Sequence, residues 1–77
     1  MPYIAIKALP REEEKKRLLA ERINEVMMEV WGCPQRAITI SIQDIAPDEW
    51  DEKVQKPDID AHPEIMLIVS GEKTYEK

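Results

Sequence analysis

The fold is decided by residues 2–43, PYIAIKALPREEEKKRLLAERINEVMMEVWGCPQRAITISIQ, in which the spacing of apolar residues changes twice. Apolar side chains alternate at Ile4, Ile6 and Ala8, which predicts a strand over residues 2–9 with one face on a core. From about residue 12 to residue 31 the apolar residues recur at helical spacing, at Leu19, Ile23, Val26, Met27 and Val30. Alternation returns over residues 37–43 and predicts a second strand.

The ends of the predicted helix are marked unequally. Gly32 follows the last periodic residue and Pro34 comes just beyond it, a combination typical of a helix end with a left-handed glycine. The acidic side chains Glu12, Glu13 and Glu14 suit the positive end of the helix dipole. No Ser, Thr, Asp or Asn is available to cap the first turn.

A strand, a long helix and a second strand form a βαβ unit, which implies parallel strands and a right-handed crossover. The predicted fold class is therefore α/β. A chain of 77 residues is enough for one domain, residues 1–77. Two strands and one helix do not close a core, so we expect a second protomer to complete the sheet.

The remainder of the chain is less regular. Residues 46–50 predict a turn or short helical loop that holds Trp50, and residues 51–64 predict an ordered or semi-ordered surface segment with two prolines. The apolar run 65–69 suits either a strand or a helical turn. We expect the extended C-terminal segment, residues 51–77, at the dimer interface or at the mouth of a pocket.

Composition excludes several classes of function. The 11 basic and 16 acidic residues give a net charge of −5, which disfavours nucleic acid as a partner. No apolar run approaches the roughly 20 residues of a membrane helix, and no signal-peptide stretch opens the chain. One cysteine, Cys33, forms no disulfide, and with the one histidine, His62, it builds no zinc site without help from carboxylates. We therefore expect a cytoplasmic protein with no metal site.

Pro2 is the first residue to consider for chemistry. When Met1 is removed, the nitrogen of Pro2 becomes a secondary amine. Removal of Met1 is ordinarily efficient before a small residue such as proline. An apolar pocket or a nearby cation lowers the pKa of an amine, which leaves a neutral base at physiological pH. Taken alone, however, a proline at position 2 is more often an accident of sequence.

Several motifs in order carry a resemblance to a known family. The start Met1-Pro2-Tyr3-Ile4-Ala5-Ile6-Lys7, then Pro10-Arg11, the charged helix, the second strand and Pro47-Asp48-Glu49-Trp50 resemble the 4-oxalocrotonate tautomerase family. The tail with Lys53-Val54, Pro57-Asp58-Ile59 and Pro63-Glu64 is similar to its PptA-like branch. The resemblance implies the family's βαβ tautomerase fold, and this branch favours a homodimer over a hexamer.

The resemblance also implies roles for individual residues. Pro2 matches the catalytic general base, Arg11 matches an arginine that holds a substrate carboxylate, and Trp50 matches an aromatic that forms an apolar wall. Thr39 falls where founding members carry a second arginine, a position for which Arg36 is a possible substitute. Tyr3 adjoins the proline and is either a pocket residue or an ordinary strand residue.

Three functions follow from these roles. The first is keto–enol tautomerisation, without a cofactor, of a 2-oxo or 2-hydroxy-enoic acid with one carboxylate and an apolar or aryl end, such as phenylenolpyruvate. The second is addition of water to an unsaturated acid, with Pro2 as general acid and a carboxylate such as Glu52 activating the water. The third is a binder of small acids that keeps the fold without the chemistry, an alternative that Thr39 supports.

Overall fold

A computed structural model describes residues 1–76 and divides into two compact units, Met1–Ala46 and the chain from Pro47 onward. In the first unit, strand β1 (Tyr3–Ala8) is followed by helix α1 (Glu13–Val26) and strand β2 (Thr39–Asp44). The two strands are parallel and in direct register from Tyr3 opposite Thr39 to Ala8 opposite Asp44. The predicted α/β fold, with parallel strands joined by a helix, is confirmed.

One face of the β1–β2 sheet packs against the helix and the other is polar. Ile4, Ile6, Ile40 and Ile42 alternate with exposed residues and are half-buried. The opposite face carries Tyr3, Ala5, Thr39, Ser41 and Gln43. This division follows from the two-residue alternation of side chains along a strand.

The helix ends as the sequence predicts. After α1 the chain continues through one π-helical turn, Met27–Trp31, and Gly32 then adopts a left-handed conformation with φ of 78°. Only glycine takes this conformation routinely, because it has no Cβ. At the other end, Glu12 makes no side-chain capping hydrogen bond, as expected from a start without a capping residue.

The apolar stripe of the helix is only partly covered. Ile23 and Met27 are half-buried, whereas the remaining members of the predicted stripe are exposed: Leu19, Val26 and Val30. Across residues 1–76 only two residues are buried, Ile45 and Val54, with 3% and 4% of their surface exposed. So small a core is unusual for a stable monomer.

The second unit begins with a turn where the sequence predicts one and continues as a helical segment where the sequence predicts only an ordered or semi-ordered surface segment. Pro47–Glu49 forms a 3₁₀ turn, and residues Asp51–Asp60 form a π-helical segment that buries Val54 and includes Pro57. Lys53 donates to Glu49 at 2.8 Å, and this hydrogen bond raises the pKa of Lys53. The helical segment was missed because proline interrupts ordinary helical hydrogen bonding and is taken as a helix breaker.

The apolar run 65–69, for which strand and helical turn were both open, is divided between them. A 3₁₀ turn covers Pro63–Ile65, and strand β3 (Ile68–Val69) pairs with strand β4 (Glu72–Lys73) in an antiparallel hairpin. Ser70 and Gly71 connect the strands with φ of 50° and 83°. Positive φ at both residues suits a two-residue hairpin turn.

Two expectations stay predictions. One is that residues 1–77 form a single domain, and the other is that residues 51–77 lie at a dimer interface or pocket mouth.

Candidate active site

Pro2 lies immediately before β1, where the backbone is held. Its carbonyl oxygen accepts a hydrogen bond from the Thr39 N–H at 3.2 Å, which extends the β1–β2 ladder by one bond. Pro2 is half-buried and the preceding Met1 is fully exposed. With its φ restricted by the ring and its carbonyl anchored, the proline nitrogen has a defined position at this end of the sheet.

Tyr3 and Thr39 are brought together beside Pro2. They are direct partners in the strand register and lie on the exposed face of the sheet. The Tyr3 hydroxyl is 3.5 Å from the Ser41 hydroxyl on the same face. Arg36, the possible substitute for a second arginine, is exposed in the 3₁₀ turn Gln35–Ala37 that leads to the same end of β2.

Arg11 lies at the other end of β1. Residues 3–10 separate it from Pro2, and the six of them that form β1 alone span about 20 Å at the rise of an extended strand. A small acid cannot contact both groups within one chain. The structure therefore does not bring the predicted base and the predicted carboxylate ligand of one protomer together.

Trp50 and Glu52 belong to the second unit. Trp50 is half-buried and directly precedes the π-helical segment, while Glu52 is exposed within it. The roles expected of Pro2, Arg11, Trp50, Thr39 and Tyr3 all stay predictions.

The sequence analysis missed an ion pair at the Arg11 end of the sheet. The Lys16 ammonium donates to Asp44 at 3.1 Å and also contacts Glu13 at 3.1 Å. The hydrogen bond to Asp44, followed by that to Glu13, raises the pKa of Lys16. A signal for this pair was present, because Lys16 continues the apolar side of the helix and Asp44 follows Ile40 and Ile42 on the inner face of β2.

Cys33 and His62, for which no metal site or disulfide is expected, make local contacts. The Cys33 thiol lies 3.7 Å from the Met27 carbonyl oxygen, and His62 lies 3.4 Å from Glu64. Within residues 1–76, no group of three or more His, Cys, Asp or Glu side chains is placed to hold a metal ion. The same part of the chain has no helix with the length and apolar character to cross a membrane.

Comparison with known proteins gives these features a context. A family model described as tautomerase enzyme matches residues 2–51. A probable tautomerase of Xylella fastidiosa (strain 9a5c) is 34% identical over 72 residues, which cover 92% of this chain and 88% of that protein. Tautomerase PptA of Pectobacterium carotovorum subsp. carotovorum (strain PC1) is 33% identical over 73 residues, 92% of this chain and 96% of the relative.

A second PptA, from Escherichia coli O127:H6, is 40% identical over 52 residues, 65% of this chain and 69% of the relative. The parallel βαβ unit and these matches together show that the chain belongs to the tautomerase superfamily. Within it the chain is PptA-like, as the sequence motifs predicted. Its function is accordingly of the tautomerase type, that of an isomerase.

Proposed function

We propose that the chain is a cofactor-independent keto–enol tautomerase for 2-oxo or 2-hydroxy-enoic acids, with Pro2 as general base after removal of Met1. The observation that carries the proposal is the position of Pro2 at the head of β1, with its carbonyl anchored by Thr39, in a chain of this family. The full exposure of Met1 supports its removal. A rigid secondary amine then takes a proton from the enol hydroxyl and returns it to carbon.

The proposed substrate has one carboxylate and an apolar or aryl end. Arg11 binds the carboxylate, because a guanidinium forms two parallel hydrogen bonds to it. The absence of an arginine at Thr39 supports a substrate with a single carboxylate. Phenylenolpyruvate belongs to this class.

The proposed site is shared between two protomers. Since Pro2 and Arg11 lie at opposite ends of β1, one chain cannot apply both to the same small molecule. In the described residues β1 pairs only with β2, so its other edge is open to a second chain. If the β1 strands of two copies run antiparallel about a two-fold axis, the head of each strand meets the tail of the other. Arg11 of one protomer then adjoins Pro2 of its partner.

We propose a homodimer rather than a hexamer. The exposed apolar residues Leu18, Val26, Val30 and Trp31 on or directly after α1 give a second copy a surface to cover. By contrast, the face of the sheet away from α1 carries polar residues such as Thr39, Ser41 and Gln43, which suits water more than a further layer of subunits.

Sedimentation equilibrium tests this assembly. We expect a mass of roughly twice the 9.0 kDa chain mass across the micromolar range, because the helix and the open edge of β1 are both covered in a dimer. A mass of six chains would contradict the dimer, and a stable single-chain mass would contradict the shared site.

We also propose a cytoplasmic location. With Cys33 as its one cysteine, the chain has no disulfide framework of the kind that stabilises small secreted domains.

The direct test of the reaction is the ketonisation rate of phenylenolpyruvate, measured on protein shown by intact mass to lack Met1. We expect a rate well above buffer that falls as pH is lowered, because a general base is inactive once protonated. If the protein instead adds water to an unsaturated acid, and the rate of that reaction falls as pH rises, Pro2 acts as a general acid. Binding of aryl acids without turnover would identify a non-catalytic binder.

A further inference from the structure

A cavity of about 170 Å³ lies between α1 and the carboxyl-terminal ends of β1 and β2. Its apolar wall is formed by Ile6, Ala8, Leu9, Leu19 and Ile42. Its charged lining consists of Arg11, Lys15, Lys16 and Asp44. The volume is below the roughly 300 Å³ of a pocket that encloses a drug-sized ligand, so it suits one end of a small molecule.

The charges of the cavity do not cancel. Asp44 is the carboxylate of the lining, and it already accepts from Lys16 at 3.1 Å. Arg11 and Lys15 make no ion pair with any residue in 1–76. Glu12 lies on an adjoining open groove that Arg11 also lines, outside this cavity. Two cations beside an apolar wall are therefore available to a ligand.

We propose that Lys15 is a second substrate-binding cation, which holds the carboxylate of an amphipathic acid together with Arg11. The inference rests on the proposed function for the reaction that follows, but its binding step can be measured alone. Arg11 supplies a planar pair of donors and Lys15 a compact point charge, while the apolar carbons lie on Leu9, Leu19 and Ile42. Lys15 thus adds a second cation beside Arg11, at the carboxyl-terminal ends of the strands.

The test uses trans-cinnamate, an aryl carboxylate that cannot tautomerise, and its neutral amide, cinnamamide. We expect Lys15→Gln to raise the Kd for cinnamate about ten- to a hundredfold, the scale of one charge-assisted hydrogen bond. Lys15→Arg is expected to bind as the wild type does, because the charge is kept. Cinnamamide is expected to bind wild type and Lys15→Gln alike, since it carries no charge.

Arg17→Gln is the matched control. It removes the same charge two residues along the helix, from an exposed side chain that does not line the cavity. Its Kd for cinnamate is expected to equal that of the wild type. If Arg17→Gln weakens cinnamate as much as Lys15→Gln does, net charge rather than the cavity explains the effect and the assignment is wrong.

The outcomes separate this inference from the proposed reaction. A Lys15→Gln protein that binds cinnamate like wild type, or a wild type that does not bind it, overturns the role of Lys15 whatever the ketonisation rate. In another outcome the wild type does not ketonise phenylenolpyruvate, but Lys15→Gln still weakens cinnamate binding and Arg17→Gln does not. That result overturns the tautomerase proposal and supports Lys15 as a carboxylate-binding cation.

Discussion

Replacing Pro2 by alanine is expected to reduce the ketonisation of phenylenolpyruvate about a hundredfold or more, the contribution of a positioned general base. Alanine keeps an amino group after Met1 is removed, but this group is a primary amine. Alanine also lacks the proline ring, which restricts φ. The measurement is kcat/KM at neutral pH, followed by the loss of enol absorbance. A second form of the protein, with Met1 retained through an N-terminal extension, is expected to be inactive because Pro2 nitrogen is then an amide.

Pro34→Ala is the control for loss of a proline. Pro34 is exposed, lies just beyond the helix-ending Gly32 and belongs to neither strand. We expect its ketonisation rate to match wild type. Full activity in either Pro2→Ala or the Met1-retaining protein would show that the proline nitrogen is not the base.

Mixing two inactive variants is expected to restore activity, the second large effect. Pro2→Ala lacks the base. Arg11→Gln is expected to lower kcat/KM about a hundredfold, because it removes the two charge-assisted hydrogen bonds to the substrate carboxylate. In a mixed dimer with a shared site, intact Pro2 of one chain meets intact Arg11 of the other. Random exchange of equal amounts then gives about a quarter of wild-type activity, because half of the dimers are mixed and each has one intact site of two.

The control pairs Pro2→Ala with a double variant that carries both Pro2→Ala and Arg11→Gln. No combination of these chains contains a base, so no activity is expected. Exchange itself is verified by mass spectrometry of chains with distinct tags. If exchange occurs and the first pair still has no activity, Pro2 and Arg11 do not meet across the proposed interface.

The first unit could be predicted well from sequence because its signals are local. Alternation at Ile4 and Ile6 predicted β1, helical spacing from Leu19 to Val30 predicted the helix, and Gly32 predicted its end. Each signal depends on which side of one element is apolar, a property that neighbouring residues alone determine.

The second unit could not be predicted to the same depth. Pro57 within a helical segment contradicts ordinary helix rules, and the two-residue strands β3 and β4 are too short for an alternating pattern. Gly71 was a usable signal for the hairpin, because two-residue turns need positive φ and glycine takes it without strain.

The candidate site, too, could be predicted only in part from the sequence. The sequence by itself determined the βαβ unit and, through its resemblance, singled out Pro2 and Arg11. Only the tertiary structure decided that Lys15 and the Lys16–Asp44 pair line a cavity beside Arg11. Local spacing sets which face a side chain takes, whereas distances between residues far apart in sequence depend on how strands and helix pack.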